Sequence, residues 1–481
     1  MPRKKAAPCP VAFPEISSEY MGADFGDRRL NTRVVQLGRR LAESPTESLP
    51  RALVTESELT AAYRFLDNKA VRPLKVLAPH FAQTAERAAA HETVLVLHDT
   101  TEIQYSGDRE GTGYLRTDEA RGYLAHASLA VSADGLRRPL GVVGLHTWAR
   151  QGPAPKALRQ GKAKKKTGAQ RSRVDGRESA RWAQQVEASE GVLASKVQVI
   201  HVMDREGDAY SLLHALLSKD RRFVIRSRVD RVARSEDEAG TEKIRAIVGR
   251  EDDMVEIDVP ISSRGPSKLP KATHPARASR IAKLRVSASR LSLAKPDYVT
   301  DAPMWLDVNV VQAREIDPPE GAPPIDWLLL STEPVDTANE VMAIISHYRS
   351  RWVIEEFFKA LKSGCEIEQL QLESYDALVN ALAMFVPIAW RALQMRSLAR
   401  TEPNAPAEAV LSKTELAVLR AMGPLKLSSS PTIADALLGV AMMGGYQRHK
   451  VQPGWQTLAR GFDKLLLLAA GWAAREFAGD L

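Results

Sequence analysis

Residues 197–204 read VQVIHVMD, an apolar run that ends in an aspartate and is followed directly by REGDAY. A continuous apolar run of this length predicts a buried strand in a sheet that is covered on both faces. Residues 93–99, TVLVLHD, have the same pattern and also end in an aspartate. Two such strands with helical segments between and after them predict an α/β sheet.

The pattern of the surrounding chain extends this sheet. A hairpin follows the first strand and a helix precedes the second, and a further strand then leads into a β-rich insertion at residues 229–325. The predicted segments are 126–132 and 140–148 (hairpin), 177–188 (helix), 222–226 (strand RFVIR), 254–259, 281–288 and 305–311 (insertion strands), and 327–331 (strand WLLLS). Asp336 is then predicted to cap a long helix.

Both ends of the chain are predicted to be helical. The amino-terminal helices, at 27–43, 56–67 and 73–90, carry clustered arginines. Such a cluster is typical of a DNA-contacting module, although a helical cap with solvated arginines fits the same pattern equally well. The carboxyl-terminal helices are predicted at 375–400, 413–422, 432–443 and 455–478, and proline residues separate them.

Composition and charge narrow the class of protein. The chain has 481 residues, 67 Lys and Arg against 59 Asp and Glu, a net charge of +8 and a pI near 9.3. This moderate basic excess favours a polyanionic partner without proving one. The only cysteines, Cys9 and Cys365, exclude a disulfide scaffold and suit a reducing compartment. We expect a cytoplasmic protein that does not enter a membrane, since the amino-terminal arm lacks a signal-length apolar core.

The segment at residues 346–364, SHYRSRWVIEEFFKALKSG, carries a second signal. At about 100° per residue, Tyr348, Arg351, Glu355 and Lys362 fall on one stripe of a helix, opposite an apolar face. A carboxylate flanked by two cations and a phenol suits a metal-bound phosphate. The plainer interpretation is an amphipathic helix whose solvated face happens to carry charges.

Three carboxylates are candidates for a shared site, because ligands gather where strands of an open α/β sheet end. Asp99 and Asp204 end the two predicted strands, and Glu355 lies on the stripe. Their mutual repulsion favours a hard cation, and two Mg²⁺ or Mn²⁺ ions about 4 Å apart would suit phosphodiester chemistry. Each aspartate taken singly could be a turn residue. Glu206 and Asp208 compete with Asp204, but we expect them to begin the next helix.

These motifs together resemble a known family. The segments HDTTEI (98–103) and MDREGDAY (203–210), together with the Tyr-Arg-Glu-Lys spacing of the stripe, are similar to the bacterial cut-and-paste transposases typified by the Tn-five element, of the insertion-sequence-four family. The segments GDRR, AYRF, RFVIRS, DWLLLSTEPV and GGY also resemble family segments. The resemblance implies a DDE transposase with a ribonuclease-H-like core.

The resemblance also implies residue roles. Asp99, Asp204 and Glu355 would be the catalytic, metal-binding triad, with two Mg²⁺ or Mn²⁺ ions per site. Tyr348, Arg351, Lys362 and Arg226 would contact phosphates of the transposon end. Trp327 would stack on a base flipped out of a terminal hairpin, although a buried strand tryptophan fits the pattern too. The partners would be double-stranded DNA, as transposon ends and as target, and a second copy of the chain.

The expected fold class is therefore α/β: a ribonuclease-H-like mixed-sheet catalytic core interrupted by a β-rich insertion, with helical amino- and carboxyl-terminal domains. The predicted divisions are 1–75 (helical DNA-binding domain with a flexible basic arm), 76–228 (first part of the core), 229–325 (insertion), 326–368 (second part of the core) and 369–481 (helical dimerisation domain). The basic loop at 151–173 and the arm depart from the family pattern, so their roles are not inherited. Two alternatives remain: a non-catalytic DNA-binding regulator derived from a transposase, and a metal-dependent nuclease with the same core.

Overall fold

A computed structural model describes residues 15–115, 120–151, 180–193, 195–235, 240–252, 255–261, 263, 277–447 and 453–479. Side chains of the last helix are described as far as residue 472. Most of the predicted amino-terminal arm, and the predicted basic loop beyond Gln151, lie outside these residues.

Twelve strands of the described chain form one mixed sheet. They are β1 (Thr93–Tyr105), β2 (Gly113–Tyr114), β3 (Arg121–Ser132), β4 (Pro139–Trp148), β5 (Gln198–Met203), β6 (Arg222–Arg226), β7 (Val232–Ser235), β8 (Glu242–Lys243), β9 (Val255–Ile261), β10 (Arg280–Ala294), β11 (Trp305–Glu315) and β12 (Asp326–Ser331). The order is β2-β3-β1-β5-β6-β12-β11-β10-β7-β8, with β4 on β3 and β9 on β10. The predicted mixed α/β architecture is confirmed at this level.

The central strands place the candidate residues. Strand β1 runs parallel to β5, and β5 runs parallel to β6, whereas β3 and β4 are antiparallel additions on the other side of β1. The apolar run of β1 is buried because both faces of the sheet are covered there. Strand β12 pairs antiparallel with β6, so the strands of the β-rich insertion continue the central sheet.

Helices cover the sheet and form both ends of the described chain. They are α1 (Arg28–Glu43), α2 (Leu49–Ala52), α3 (Glu56–Leu66), α4 (Pro73–Ala88), α5 (Ala180–Leu193), α6 (Tyr210–Leu217), α7 (Ile244–Val248), α8 (Ala338–Ser350), α9 (Trp352–Lys359), α10 (Tyr375–Thr401), α11 (Lys413–Met422), α12 (Ile433–Met443) and α13 (Trp455–Gly479). Asp27 caps α1 as predicted, since its Oδ1 accepts from the Arg29 amide at 2.8 Å. The cap of α8 was predicted wrongly: it is Thr337, whose hydroxyl forms a capping box with Glu340.

Helix α10 is the central support of the carboxyl-terminal half. Its length and hydropathy would by themselves suit a membrane span, but 83% of that apolar window is buried inside the protein. The buried Asn380 donates to the Leu66 carbonyl at 2.8 Å, and Tyr20 donates to the Met384 carbonyl at 2.5 Å. These hydrogen bonds satisfy buried polar groups and hold the amino-terminal helices against α10.

Candidate active site

Asp99 and Asp204 lie on neighbouring parallel strands. The paired register of β1 and β5 ends at His98 opposite Met203, so each aspartate follows the last paired residue of its strand. The prediction that Asp99 ends its strand was wrong, because β1 continues to Tyr105 by pairing with β3 alone. Asp99 therefore marks the point at which β5 leaves β1. Asp99 and Asp204 are neighbours because each directly follows the last paired residue of two parallel strands, although β1 itself does not end there.

Asp204 caps the short 3₁₀ turn Arg205–Gly207, and its Oδ1 accepts from the Glu206 amide at 2.8 Å. Asp208, the competing candidate, faces elsewhere. Its buried carboxylate accepts from Arg231 at 2.5 Å and from the Arg228 amide at 2.7 Å. Asp208 is thus used in a buried ion pair that anchors the chain after β6.

Glu355 is linked to Asp99 through Arg351. The Arg351 guanidinium donates from Nη1 to Asp99 Oδ2 at 3.2 Å and from Nη2 to Glu355 Oε1 at 2.6 Å. Its side chain is only 10% exposed, against 17% for Asp99 and 30% for Glu355. One arginine therefore bridges two of the three predicted carboxylates in a mostly buried position.

Asp204 lies close enough to Asp99 to affect the pKa of its carboxyl group. Burial raises the pKa of Asp99 to about 7, and repulsion by Asp204 and Glu355 adds to the rise, whereas Arg351 and the Thr100 amide oppose it. Burial disfavours the charge on Arg351, but attraction by Tyr348, Asp99 and Glu355 more than compensates and holds its pKa above the ordinary value. Asp99 is thus repelled by both other carboxylates, and Arg351 offsets this only in part.

The donor set suits a divalent cation in its chemistry, since all three groups are carboxylates and Asp99 is destabilised by like charge. The positions of these carboxylates do not suit a shared metal ion. In the described part of the chain, no three His, Cys, Asp or Glu side chains are placed so as to hold a metal ion together. The predicted metal site is therefore not formed here, and Arg351 supplies the positive charge between Asp99 and Glu355.

The helix of the stripe differs from the prediction in two ways. It is not continuous: α8 ends at Ser350, α9 begins at Trp352, and a π-helical turn follows at Ala360–Gly364. The stripe is also not solvated, since Tyr348 is 4% and Arg351 9% exposed. Tyr348 and Arg351 face the sheet, and Lys362 lies within the π turn. Both faces of the segment are thus in contact with the protein.

Tyr348 lies among aromatic and cationic side chains. Its ring is 5.5 Å from that of Trp327 in an edge-on arrangement, and its hydroxyl accepts from Arg226 Nη1 at 3.3 Å. Lys362 lies on the other side, where it donates to the Glu102 carbonyl and lies 3.5 Å from Glu368. The structure thus groups Tyr348, Trp327 and Arg226 and places Lys362 over β1, three residues beyond Asp99.

A chain of buried hydrogen bonds lies behind Asp99, and no sequence pattern indicates it. His98 Nδ1 is 3.0 Å from Ser128 Oγ, His98 Nε2 is 2.9 Å from His201 Nδ1, and His201 Nε2 is 3.0 Å from Glu190. Because the carboxylate can only accept, His201 Nε2 donates to Glu190. The chain joins β3, β1 and β5 on the face opposite to Asp99. His98 is a strand residue, as predicted, and the partners come from segments too distant in sequence to be recognised.

The strand ends, carboxylates and flanking cations define the chemistry of a nuclease-type or transposase-type centre. Two family models match the chain: "Transposase DNA-binding" at residues 16–71 and "Transposase DDE domain" at residues 158–386. The second match contains Asp204 and Glu355 but begins after Asp99. The two domains indicate a DDE transposase, an enzyme of DNA cleavage and strand transfer. DDE transposase domains generally use divalent metal ions.

A solved structure, the cryo-EM structure of a piggyBac transposase synaptic complex with hairpin DNA, is also similar. The identity is 9%, the match covers 80% of this chain and 78% of that chain, and the TM-score is 0.34. A similarity this weak supports no conclusion about residues or partners.

Proposed function

We propose that this DNA transposase works by cut-and-paste transposition with the chemistry of the Tn-five type, in a ribonuclease-H-like core. The observation that carries the proposal is the meeting of Asp99 and Asp204, from adjacent parallel strands, with Glu355 through Arg351. Arg351 links carboxylates from two distant parts of the chain, and Asp204 follows the strand that pairs with the strand of Asp99. Such convergence is what phosphodiester chemistry in this class requires.

In this proposal Asp99, Asp204 and Glu355 are the catalytic carboxylates, and they hold Mg²⁺ or Mn²⁺. Bound divalent ions would activate water and stabilise the leaving oxygen of a phosphodiester. Arg351 would exchange its two carboxylates for a DNA phosphate, because a guanidinium binds either oxyanion in a bidentate manner. The arginine would thereby free the carboxylates only when DNA is present.

The residues around the triad position the DNA. Arg226, Tyr348 and Lys362 contact phosphates of the transposon end, and Trp327 stacks on an unpaired base. One strand is nicked at the transposon end. The freed 3′ hydroxyl attacks the opposite strand to form a hairpin, water opens the hairpin, and the 3′ end then attacks target DNA. A homodimer, with both ends bound, would carry out these steps in the bacterial cytoplasm at the nucleoid.

The test uses the full chain, DNA carrying the element's own ends, and Mg²⁺. We expect nicked, hairpin and target-joined products, resolved on denaturing gels. A regulator would bind the ends but produce no cut. A nuclease of the same core would cut without a hairpin and join nothing to target DNA. Either result would overturn the proposed reaction.

A further inference from the structure

A group of arginines lies beside Trp327, at the border between the central sheet and the insertion. Arg226, on β6, donates from Nη2 to the Asp326 carbonyl at 3.2 Å and from Nη1 to the Tyr348 hydroxyl at 3.3 Å. Its guanidinium carbon is 5.9 Å from the centre of the Tyr348 ring. Arg226 is thus held by neutral acceptors, and in the described part of the chain it pairs with no carboxylate.

A second cation beside Asp326 is Arg245, which lies on helix α7 of the insertion. Its guanidinium pairs with the Asp326 side chain, and Gln312 donates to the other oxygen of Asp326 at 3.2 Å. The Arg245 and Asp326 side chains are 36% and 34% exposed. The pair is therefore accessible to an incoming anion that competes with Asp326 for the guanidinium.

Arg205 is the third member, directly after Asp204. In the described part of the chain its side chain forms no hydrogen bond or ion pair. The turn Arg205–Gly207 that carries it packs against β6, and Met203 of β5 pairs with Ile225, the residue before Arg226. Arg226 and Arg245 therefore both contact Asp326, and Arg205 lies on the turn beside the strand that carries Arg226.

We propose that Arg205 and Arg245, together with Arg226, form a phosphate-binding cluster that holds the DNA backbone between Asp204 and Trp327. The inference rests on the proposed function, because it assigns the cluster to the DNA strand that is processed at Asp204. A phosphodiester would neutralise the excess charge and accept from several guanidinium groups at once. Its position next to Trp327 would fix the nucleotide whose base stacks there. The insertion thereby contributes a DNA contact to the active site.

Arg205→Ala and Arg245→Ala are tested for binding to end DNA by fluorescence anisotropy in EDTA, over a series of salt concentrations. Each variant should bind several-fold more weakly, and its salt slope should be shallower by about one unit. Asp326→Asn should bind more tightly than the wild type, because it removes the anion that competes with phosphate. Arg290→Ala is the matched control: Arg290 pairs with Asp336 on the surface and should leave the slope unchanged.

Unchanged slopes in both Arg205→Ala and Arg245→Ala would overturn the inference. Weaker binding by Asp326→Asn would also overturn it, since it would show that the Arg245–Asp326 pair only supports the fold. Arg205 is exposed and has no side-chain partner among the described residues, so its variant is informative whatever happens to the Arg245–Asp326 pair. The proposed function is judged separately, by cleavage of end DNA by the wild type in Mg²⁺. Normal cleavage with unchanged slopes would reject the cluster alone.

Discussion

The guanidinium of Arg351 lies 3.2 Å from the carboxylate of Asp99, a residue 252 positions away in sequence, and the same guanidinium holds Glu355. The Arg351 guanidinium therefore places a positive charge between two of the three proposed metal ligands. The consequence is a competition between a side chain and a divalent ion for the same carboxylates. DNA phosphate is the third competitor, since it can take the arginine away.

Replacing Arg351 with Gln should therefore raise the affinity for divalent metal in the absence of DNA. We expect a gain of about tenfold, corresponding to about 1.4 kcal/mol, because the carboxylates lose their competing cation. Calorimetric titration with Mn²⁺ measures the effect on the free protein. Unchanged or weaker Mn²⁺ binding would contradict the competition. Arg290→Gln, on an exposed pair, is the control.

The same arginine should act in the opposite direction on DNA. Arg351→Ala is expected to weaken the complex with end DNA and to reduce its salt slope by about one unit, because one phosphate contact is lost. Anisotropy in EDTA separates this effect from metal binding. A variant that keeps the wild-type slope would show that Arg351 serves only to pair with Asp99 and Glu355.

Glu355→Gln should abolish strand cleavage while end binding remains nearly normal. The amide keeps the shape of the side chain but loses the charge, and a lost catalytic carboxylate costs about 10³-fold or more in rate. Cleavage assays and anisotropy on the same preparation provide the two readouts. Glu408→Gln, on an exposed position, should behave as the wild type. Equal loss of binding and cleavage would assign Glu355 a structural role.

Trp327→Ala should weaken the interaction with an unpaired end base by about 1–3 kcal/mol, whereas Trp327→Phe should retain part of it. A fluorescent base analogue at the transposon end reports whether the base stacks. The melting temperature must be followed in parallel, since Trp327 is partly buried against Tyr348. Loss of stability with unchanged base fluorescence would mean that Trp327 is simply a residue of the sheet.

The buried histidines predict a pH dependence of stability. Burial, with repulsion by His146, lowers the pKa of His126 to about 3, and burial also lowers that of His98. Below about pH 6.5 the unfolded chain takes up protons that the folded protein does not, so stability falls by about 1.4 kcal/mol per pH unit for each such histidine. The loss continues down to the folded pKa.

His126→Gln should therefore flatten the fall of the melting temperature between pH 6.5 and lower values, because its carbonyl can still accept from Thr100 but does not titrate. His214→Gln, on the half-buried side of α6, is the comparison. If His126→Gln left the pH dependence of the melting temperature unchanged, the titration of His126 would not be its cause.

Asp99 has the opposite effect on stability, since its raised pKa makes stability fall as pH rises towards about 7.

The sequence predicts the elements of this fold well because its signals are local. The strand at 222–226 and the helix at 413–422 have the bounds that were predicted, and the carboxyl-terminal helices differ by a residue or two. Apolar periodicity and capping residues are sufficient for such elements. The domain boundaries stay a prediction. The orientation of the stripe could not be predicted, since Tyr348 and Arg351 are buried by strands far away in sequence.

The candidate site was predictable as a set of residue types and not as an arrangement. Asp99 and Asp204 were found from apolar runs followed by a carboxylate, and their proximity follows from the parallel pairing. Nothing in the local sequence indicates that Arg351 would bridge Asp99 to Glu355. Arg245 is harder still to predict, because its helix packs on β10 and β11, and the pairing of β11 with β12 brings it to Asp326. Such contacts depend on the tertiary fold.

The antiparallel pairing of β12 with β6 has a practical consequence for anyone wishing to shorten this enzyme. The insertion cannot be excised together with β12, because the loss of β12 would leave the backbone amides and carbonyls of β6 uncovered. A truncated version would then tend to aggregate through that bare edge. Miniaturisation should instead begin at β7 and β8, which lie at the far margin of the sheet.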